Sequence, residues 1–304
     1  MEQLTFMIEE QEAGIRIDRV LTDKCEDYSR SYLQKLLKDQ QVSVNKNPVK
    51  ANYKVQAGDT VHVTLPDMEE PNIRPQEIPL DILYEDDYLL VVNKPKDMVV
   101  HPSAGHMEGT LVNAVLAHCQ GNLSGINGVL RPGIVHRIDK DTTGALLICK
   151  DDTTHRALAE QLKVHSIKRR YHAVAYGNFS DEEGTVEGPI GRHPIDRKKM
   201  AINYKNGKEA VTHYRVLERF GNATYIECRL ETGRTHQIRV HMASIGHPLL
   251  GDEIYGSGRN PYHLQGQALH AMVLGFIHPH TGKYMEFEAP LPDYFVKLLN
   301  KLRK

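Results

Sequence analysis

The sequence predicts an α+β protein: a mixed, mainly antiparallel sheet with flanking helices, preceded by a small α/β module. Three observations carry that expectation. Apolar runs of strand length recur through the last two-thirds of the chain, and most connections between them do not alternate strand with helix. Four helix-length amphipathic segments interrupt them. A proline-rich acidic stretch separates all of this from a short leading module. The length of 304 residues suits about two domains.

Taken in order, the leading module (1–66) reads as helix, helix, strands. Ile17, Val20 and Leu21 share one helical face. Ser29 is a suitable N-cap for a helix from Arg30 to about Asp39, with Leu33, Leu36 and Leu37 turned inward. Val42 and Val44 alternate as a short strand, and after Gly58-Asp59 the run VHVTL places Val61, Val63 and Leu65 on one face. Residues 66–81 contain four prolines and five acidic residues, so 67–81 is expected to be an extended linker. In the body (82–304) the expected strands are 88–93, 145–150, 170–176, 210–218, 223–231, 271–277 and 284–289. The expected helices are 110–118, 153–164, 235–245 and 293–302; in the third, Ile238, Met242 and Ile245 should form the buried face. Leu146, Leu147 and Ile148 are core candidates.

Composition excludes several classes. The chain is 40% hydrophobic and 25% charged, which is ordinary for a globular protein. No apolar run approaches the roughly 18 residues of a membrane span. The opening MEQLTFMIEEQEAG is acidic and lacks an apolar core, so no secretory signal is expected and the location implied is the cytoplasm. The four cysteines are scattered, without CxxC spacing, and are read as reduced thiols, with Cys149 and Cys228 buried. The net charge of −1 conceals an uneven distribution: residues 67–88 hold 8 acidic and 1 basic side chain, and residues 89–304 hold 28 basic and 21 acidic, with 16 of the 17 histidines. That basic body is weak support for a polyanionic partner.

No metal or phosphate motif is present: HExxH, GxxxxGK[ST], GxSxG and GxGxxG are all missing. His278-Pro279-His280 reads as a solvated turn before a ligand pair. The densest polar stretch is RPGIVHRIDKDTTG (131–144), which sets His136, Arg137, Asp139, Lys140 and Asp141 in a loop entering an apolar strand. Its residues suit equally a structural ion-pair knot and a nucleophilic carboxylate held ionised by cations. TGRTHQIRVH (232–241), around a helix N-terminus, suits an anion site or a surface turn.

At these stretches the chain resembles the RluA/RluD family of RNA pseudouridine synthases. HRIDKDTTG (136–144) resembles the family signature HRLDxxTSG, with Ile138 for Leu and Thr143 for Ser. LYEDDYLLVVNKPKDMVVHP (83–102) resembles the first motif, KRRYHAVAYG (168–177) the tyrosine-bearing segment, and LETGRTHQIRVHMASIGHPLLGD (230–252) the third motif. The leading module resembles an S4 RNA-binding domain, except that Asp39-Gln40-Gln41 stands where that pattern usually has glycine. The resemblance spans about 15–295, in order.

What the resemblance implies is specific. Asp139 is the catalytic carboxylate, Arg239 its partner and Tyr171 the residue that stacks on the uracil and relays a proton. Arg137 enters the space left by the flipped base. His136 is counted with the substrate-contacting residues, although shaping of the loop is its expected work, and Arg234 and His236 are supports or phosphate contacts. In the S4-like module Arg16, Arg19, Arg30, Lys35 and Lys38 form either a phosphate-contacting face or a solvated helix surface. No cofactor and no metal are expected, since breaking C1′–N1 and rebonding C1′ to C5 needs neither redox change nor group donor. The expected substrate is large-subunit (23S) ribosomal RNA, and the expected state a monomer without membrane association. Two other functions compete: a non-catalytic RNA-binding or ribosome-assembly protein, which the Asp139–Tyr171–Arg239 set disfavours, and a metal-dependent hydrolase, which the histidine spacing disfavours.

Overall fold

The computed structural model describes residues 2–25, 28, 30–65, 73–102, 106–126, 132–196, 199–256, 258 and 260–304, without the side chains of residues 2, 30 and 31. The chain divides into two compact units, Met1–Asn72 and Ile73–Lys304. No helix among the described residues is long and apolar enough to cross a membrane.

In the first unit, β1 (Glu2–Met7), α1 (Ile17–Lys24), α2 (Arg30–Lys38), β2 (Val42–Val44), β3 (Asn47–Pro48) and β4 (Thr60–Leu65) follow in order. The strands form an antiparallel sheet in the order β1-β4-β2-β3. Ile17, Val20 and Leu21 of α1, Leu33, Leu36 and Leu37 of α2, and the alternating valines of β2 and β4 make one buried core. The strand β1 is absent from the sequence reading. Its Leu4 and Phe6 are only partly buried on that core, so an edge strand results whose alternation is too shallow to stand out. Ser29, the expected cap, lies outside the described residues. Gln40, within the Asp39-Gln40-Gln41 stretch where glycine is usual, takes a left-handed φ of 58°. That is the conformation for which glycine is favoured, and a side chain there is strained.

In the second unit one nine-stranded sheet is built from β5 (Ile82–Glu85), β6 (Leu89–Lys94), β7 (Thr143–Cys149), β8 (Lys168–Tyr176), β9 (Glu183–Glu187), β12 (Val211–Arg219), β13 (Ala223–Leu230), β14 (Leu269–Ile277) and β15 (Tyr284–Glu288). A short hairpin, β10 (Ile190–Arg192) with β11 (Met200–Ile202), stands apart. The order is β5-β6-β7-β14-β8-β13-β12-β9, with β15 also on β14. Every pairing is antiparallel except β7 with β14. The run TGALLIC of β7 is buried at all positions because both faces of the sheet are covered. Leu146 and Ile148 join one core with Leu111, Val112 and Val115 of α3 (Leu111–His118), while Ala145, Leu147 and Cys149 join another with Leu158 of α4 (Asp152–Lys163). All four cysteines are buried and free.

Three sequence expectations are corrected here. Residues 73–81 are not linker: Ile73 is buried in the main core, Ile78 and Leu80 pack on it, and the backbone of Gln76 and Arg74 is tied to Asn113 of α3 at 2.9 Å each. The prolines there keep the segment extended, but its apolar side chains give it a surface to lie on. The helix α5 (Gln237–Ser244) starts two residues later than expected, because His236 is left-handed. Ile245 follows that helix and is 39% exposed, so only Ile238 and Met242 of the proposed stripe are core. The last helix, α6 (Asp293–Leu302), buries Phe295, Leu298 and Leu299 against β8, β13 and the 250–268 segment.

Candidate active site

The polar loop before β7 is held from four directions. Leu147 N–H donates to His136 Nε2 at 3.0 Å, so His136 carries its hydrogen on Nδ1. Burial, with the nearby Arg169 charge adding, pushes that ring down to about 3, and it stays neutral. Lys94 Nζ, fully buried at the end of β6, donates to the carbonyls of Pro95, Met98 and Lys140 at 2.7, 2.8 and 2.9 Å. Gln267 Nε2 reaches Thr142 Oγ1 at 3.0 Å, and Thr143 Oγ1 donates to His270 Nδ1 at 2.7 Å. Finally Gly144, at φ 110°, lies so close to the Ala271 backbone that any Cβ would collide with it. The residue between these anchors is Asp139.

Asp139 and Arg239 meet: Arg239 Nη1 donates to Asp139 Oδ2 at 2.9 Å. The guanidinium fork, however, is committed elsewhere. Nε and Nη2 bind Asp252 Oδ2 and Oδ1 at 2.7 and 3.0 Å. One arginine is thus shared by two carboxylates: the expected pairing with Asp139 is a single contact, and Asp252 takes the bidentate grip. Burial opposes the Arg239 charge, but the Asp252 hydrogen bonds and the charges of Asp139 and Asp252 outweigh it and hold the group above its ordinary value. Burial likewise pushes Asp252 up, and Arg239 with the amides of Tyr255 and Ile254 brings it below the usual carboxylate range.

Asp139 opens on a cavity lined by Arg137, Tyr171, Arg234, His236 and the apolar Ile138, Leu230 and Leu269. Tyr171 stands on the central strand β8, in register with Cys228 and Ala271. Burial raises its phenol, opposed by the charge of Arg169 and reinforced by that of Asp139. His236 has φ 58°, a strained value that turns its ring inward: Nδ1 meets Tyr255 Oη at 2.9 Å and Nε2 lies 3.8 Å from Asp139 Oδ1. Burial lowers its pKa although Asp139 opposes this. The turn 232–237 is set by Gln237, whose Oε1 accepts from Thr232 Oγ1 and Arg234 N and whose Nε2 donates to Val211 O and Thr212 Oγ1.

The remaining predicted residues divide. Arg137 is exposed at the cavity mouth. Arg234 lines the cavity with its Nε bound to Glu209 O at 2.9 Å. His136, grouped with substrate contacts, has its Nε2 committed to the backbone and is a loop support. In the first unit Arg16 forks onto the buried Asp18 at 2.9 and 3.1 Å, which removes it from an open basic face. Arg19, Lys35 and Lys38 are exposed, and the side chain of Arg30 lies outside the described residues.

Sequence reasoning missed Asp252, Lys94, Gln237 and Tyr255. Asp252 lies 13 residues beyond Arg239, past a turn, with no periodicity to link the two. The His278-Pro279-His280 pair is structural: His278 binds Asp86 at 2.8 Å, and His280 binds Thr154 and stacks on Tyr88. Among the described residues no three His, Cys, Asp or Glu side chains are grouped to hold a metal. A separate cleft near Glu85 is occupied by its own ion pairs to Lys150 and His118.

Comparison with known proteins agrees with this layout. Residues 88–244 match the family model described as RNA pseudouridylate synthase, and residues 15–61 match the S4 domain model. The Bacillus subtilis (strain 168) protein named uncharacterized RNA pseudouridine synthase YlyB is 53% identical over 304 residues, 100% of this chain and 99% of its own. Ribosomal large subunit pseudouridine synthase D of Zymomonas mobilis is 49% identical, covering 96% of this chain and 94% of its own. Among solved structures, human RNA pseudouridylate synthase domain containing 4 aligns with a TM-score of 0.58 at 25% identity, over 73% of this chain and 92% of that one.

Proposed function

The chain belongs to the RNA pseudouridylate synthase family, and on that premise we propose that it converts uridines of large-subunit ribosomal RNA to pseudouridine with Asp139 as the acting carboxylate. The observation that carries this reading is the Asp139 carboxylate held 2.9 Å from Arg239 in a cavity walled by Tyr171, Ile138, Leu230 and Leu269. A target base must leave its stack to reach such a cavity, and Arg137 at the mouth is placed to fill the gap. The reaction breaks C1′–N1, turns the uracil and joins C1′ to C5; N1 gains a proton and C5 loses one.

In this reading Asp139 acts on the nucleotide, by attack on C1′, addition to the ring or removal of a 2′ proton. Arg239 holds it, and Asp252 holds Arg239. Tyr171 stacks on the free base; kept as a phenol by burial, it passes a proton on as it receives another. His236, neutral beside Asp139, supports the carboxylate, and Arg234 contacts phosphate. The apolar wall strengthens each polar contact by excluding water. Arg19, Lys35 and Lys38 of the first unit, with Arg30, bind RNA backbone. The protein works as a cytoplasmic monomer without cofactor. The experiment is pseudouridine formation on transcribed large-subunit RNA with EDTA present: wild type turns over, and Asp139→Ala binds the RNA but makes no product. Product from pure Asp139→Ala protein overturns the assignment.

A further inference from the structure

Arg169 is a buried cation with almost nothing to neutralise it. It stands on β8 two residues before Tyr171, so strand alternation puts both side chains on the same face. It is only 8% exposed. Among the described residues its guanidinium makes one hydrogen bond, Nη2 to Glu231 O at 3.2 Å, no carboxylate lies within ion-pair distance, and Nε is buried without a partner. Burial pulls its pKa down, as expected for a charge without a counterion. Buried arginines are ordinarily paired, because an uncompensated charge away from water is costly.

The surroundings say what would neutralise it. Arg169 lines an open groove that runs on from the candidate active site and shares Arg137, Asp139, Tyr171 and Arg234 with it. Lys163, ion-paired with Glu160 at 3.1 Å, also lines this groove, and the one carboxylate among the described lining residues, Asp139, is already held by Arg239. Gly233 covers the guanidinium so closely that a Cβ there would sit 2.6 Å from Nη1. A cationic groove ending at an unfilled fork suits a tetrahedral oxyanion.

We propose that Arg169 is the inner end of a phosphate site, which receives a phosphodiester of the RNA strand beside the target uridine. The inference rests on the function proposed above and adds one subsite to it. The test is binding of full-length wild type and Arg169→Gln to a transcribed large-subunit RNA fragment at several salt concentrations, with melting temperatures. The expected result is a log–log salt slope shallower by roughly 0.7–0.9, the share of one phosphate, and affinity about tenfold weaker at moderate salt. The melting temperature should hold, because an unpaired buried charge has been removed.

Unchanged slope and affinity overturn the site, and a lowered melting temperature with unchanged slope makes Arg169 a structural residue. Gly233→Ala is the second variant: it keeps the charge and displaces the fork, so RNA affinity should drop several-fold, and wild-type affinity there also overturns the proposal. If inorganic phosphate competes with RNA in wild type but not in Arg169→Gln while the RNA slopes coincide, the site takes free phosphate and the strand assignment is wrong. Conversion of uridine by the wild type in the same RNA reports separately on the proposed function.

Discussion

The loop that carries Asp139 and the basic helix surface of the first unit are both proposed to meet RNA, and they are built by opposite rules. Around Asp139 the framework groups have designated partners: Arg239 is divided between two carboxylates, Lys94 between three carbonyls, and Gln237 bridges four groups, with Arg169 the exception argued above. On α1 and α2, Arg19, Lys35 and Lys38 stand in solvent above an apolar core. Bond-making needs atoms fixed to a fraction of an ångström, whereas attraction to phosphate needs only charge at the right distance. Substitutions in the first region should therefore cost kcal/mol and rate; those in the second should register as salt dependence.

The sharpest way to break this contrast is Asp252→Asn. It leaves a buried guanidinium without its main counterion, and stability should fall by about 3–5 kcal/mol in denaturant unfolding, with isomerisation lost as the fork turns toward Asp139. A drop below about 1 kcal/mol, the range of an exposed pair, would erase the distinction. Tyr171→Phe comes next. The stacking face survives and the hydroxyl goes, so single-turnover conversion should slow roughly 100-fold while RNA binding persists; an unchanged rate leaves stacking alone.

Deleting the first unit should have a milder effect, and one of a different kind. A fragment of residues 73–304 should melt like the second unit in the whole protein, but bind RNA more weakly, with the salt slope flattened by roughly 0.7–0.9 per lost phosphate contact. Starting instead at residue 82 removes Ile73, Ile78 and Leu80 from the core and should cost a further 3 kcal/mol or so. Equal affinities and slopes for the whole chain and 73–304 would show that the first unit is a bystander. The smallest effect is expected from Gln40→Gly, which relieves a left-handed side chain and should stabilise the first unit by about 0.5–1 kcal/mol without changing RNA affinity.

The uneven legibility of the sequence follows the same contrast. The strands β6 to β8 and β12 to β14 were readable because long apolar or alternating runs have few other uses. The strand β9 was not, since only Val186 of its five residues is fully buried, and β10 and β11 are three residues each. At the site, Asp139, Tyr171 and Arg239 were reached through the family resemblance; charge and spacing left the Asp139 stretch evenly balanced between structure and chemistry, and a tyrosine in a strand is by itself a core residue. Asp252 was hidden because its partner is brought back by a turn, which no periodicity encodes. Arg169 was hidden by its neighbours: inside KRRY it resembles one more surface cation, and only its place two residues before Tyr171 distinguishes it from Lys168 and Arg170.

The arginine shared between Asp139 and Asp252 has a consequence for the course of the reaction proposed above. At rest the three groups together hold one surplus negative charge, located on the carboxylate that faces the cavity. Attack on C1′, addition to the ring and uptake of a 2′ proton differ in the atom touched, but each converts Asp139 from an anion into a neutral ester or acid. At that moment Arg239 and Asp252 remain as a closed, electrically balanced pair, bonded by the same two contacts at 2.7 and 3.0 Å as before. No buried cation is stranded and no side chain has to swing to screen one. In the proposed reaction Asp252 is therefore a standing counterweight, which lets the site give up its charge to the substrate and recover it at product release.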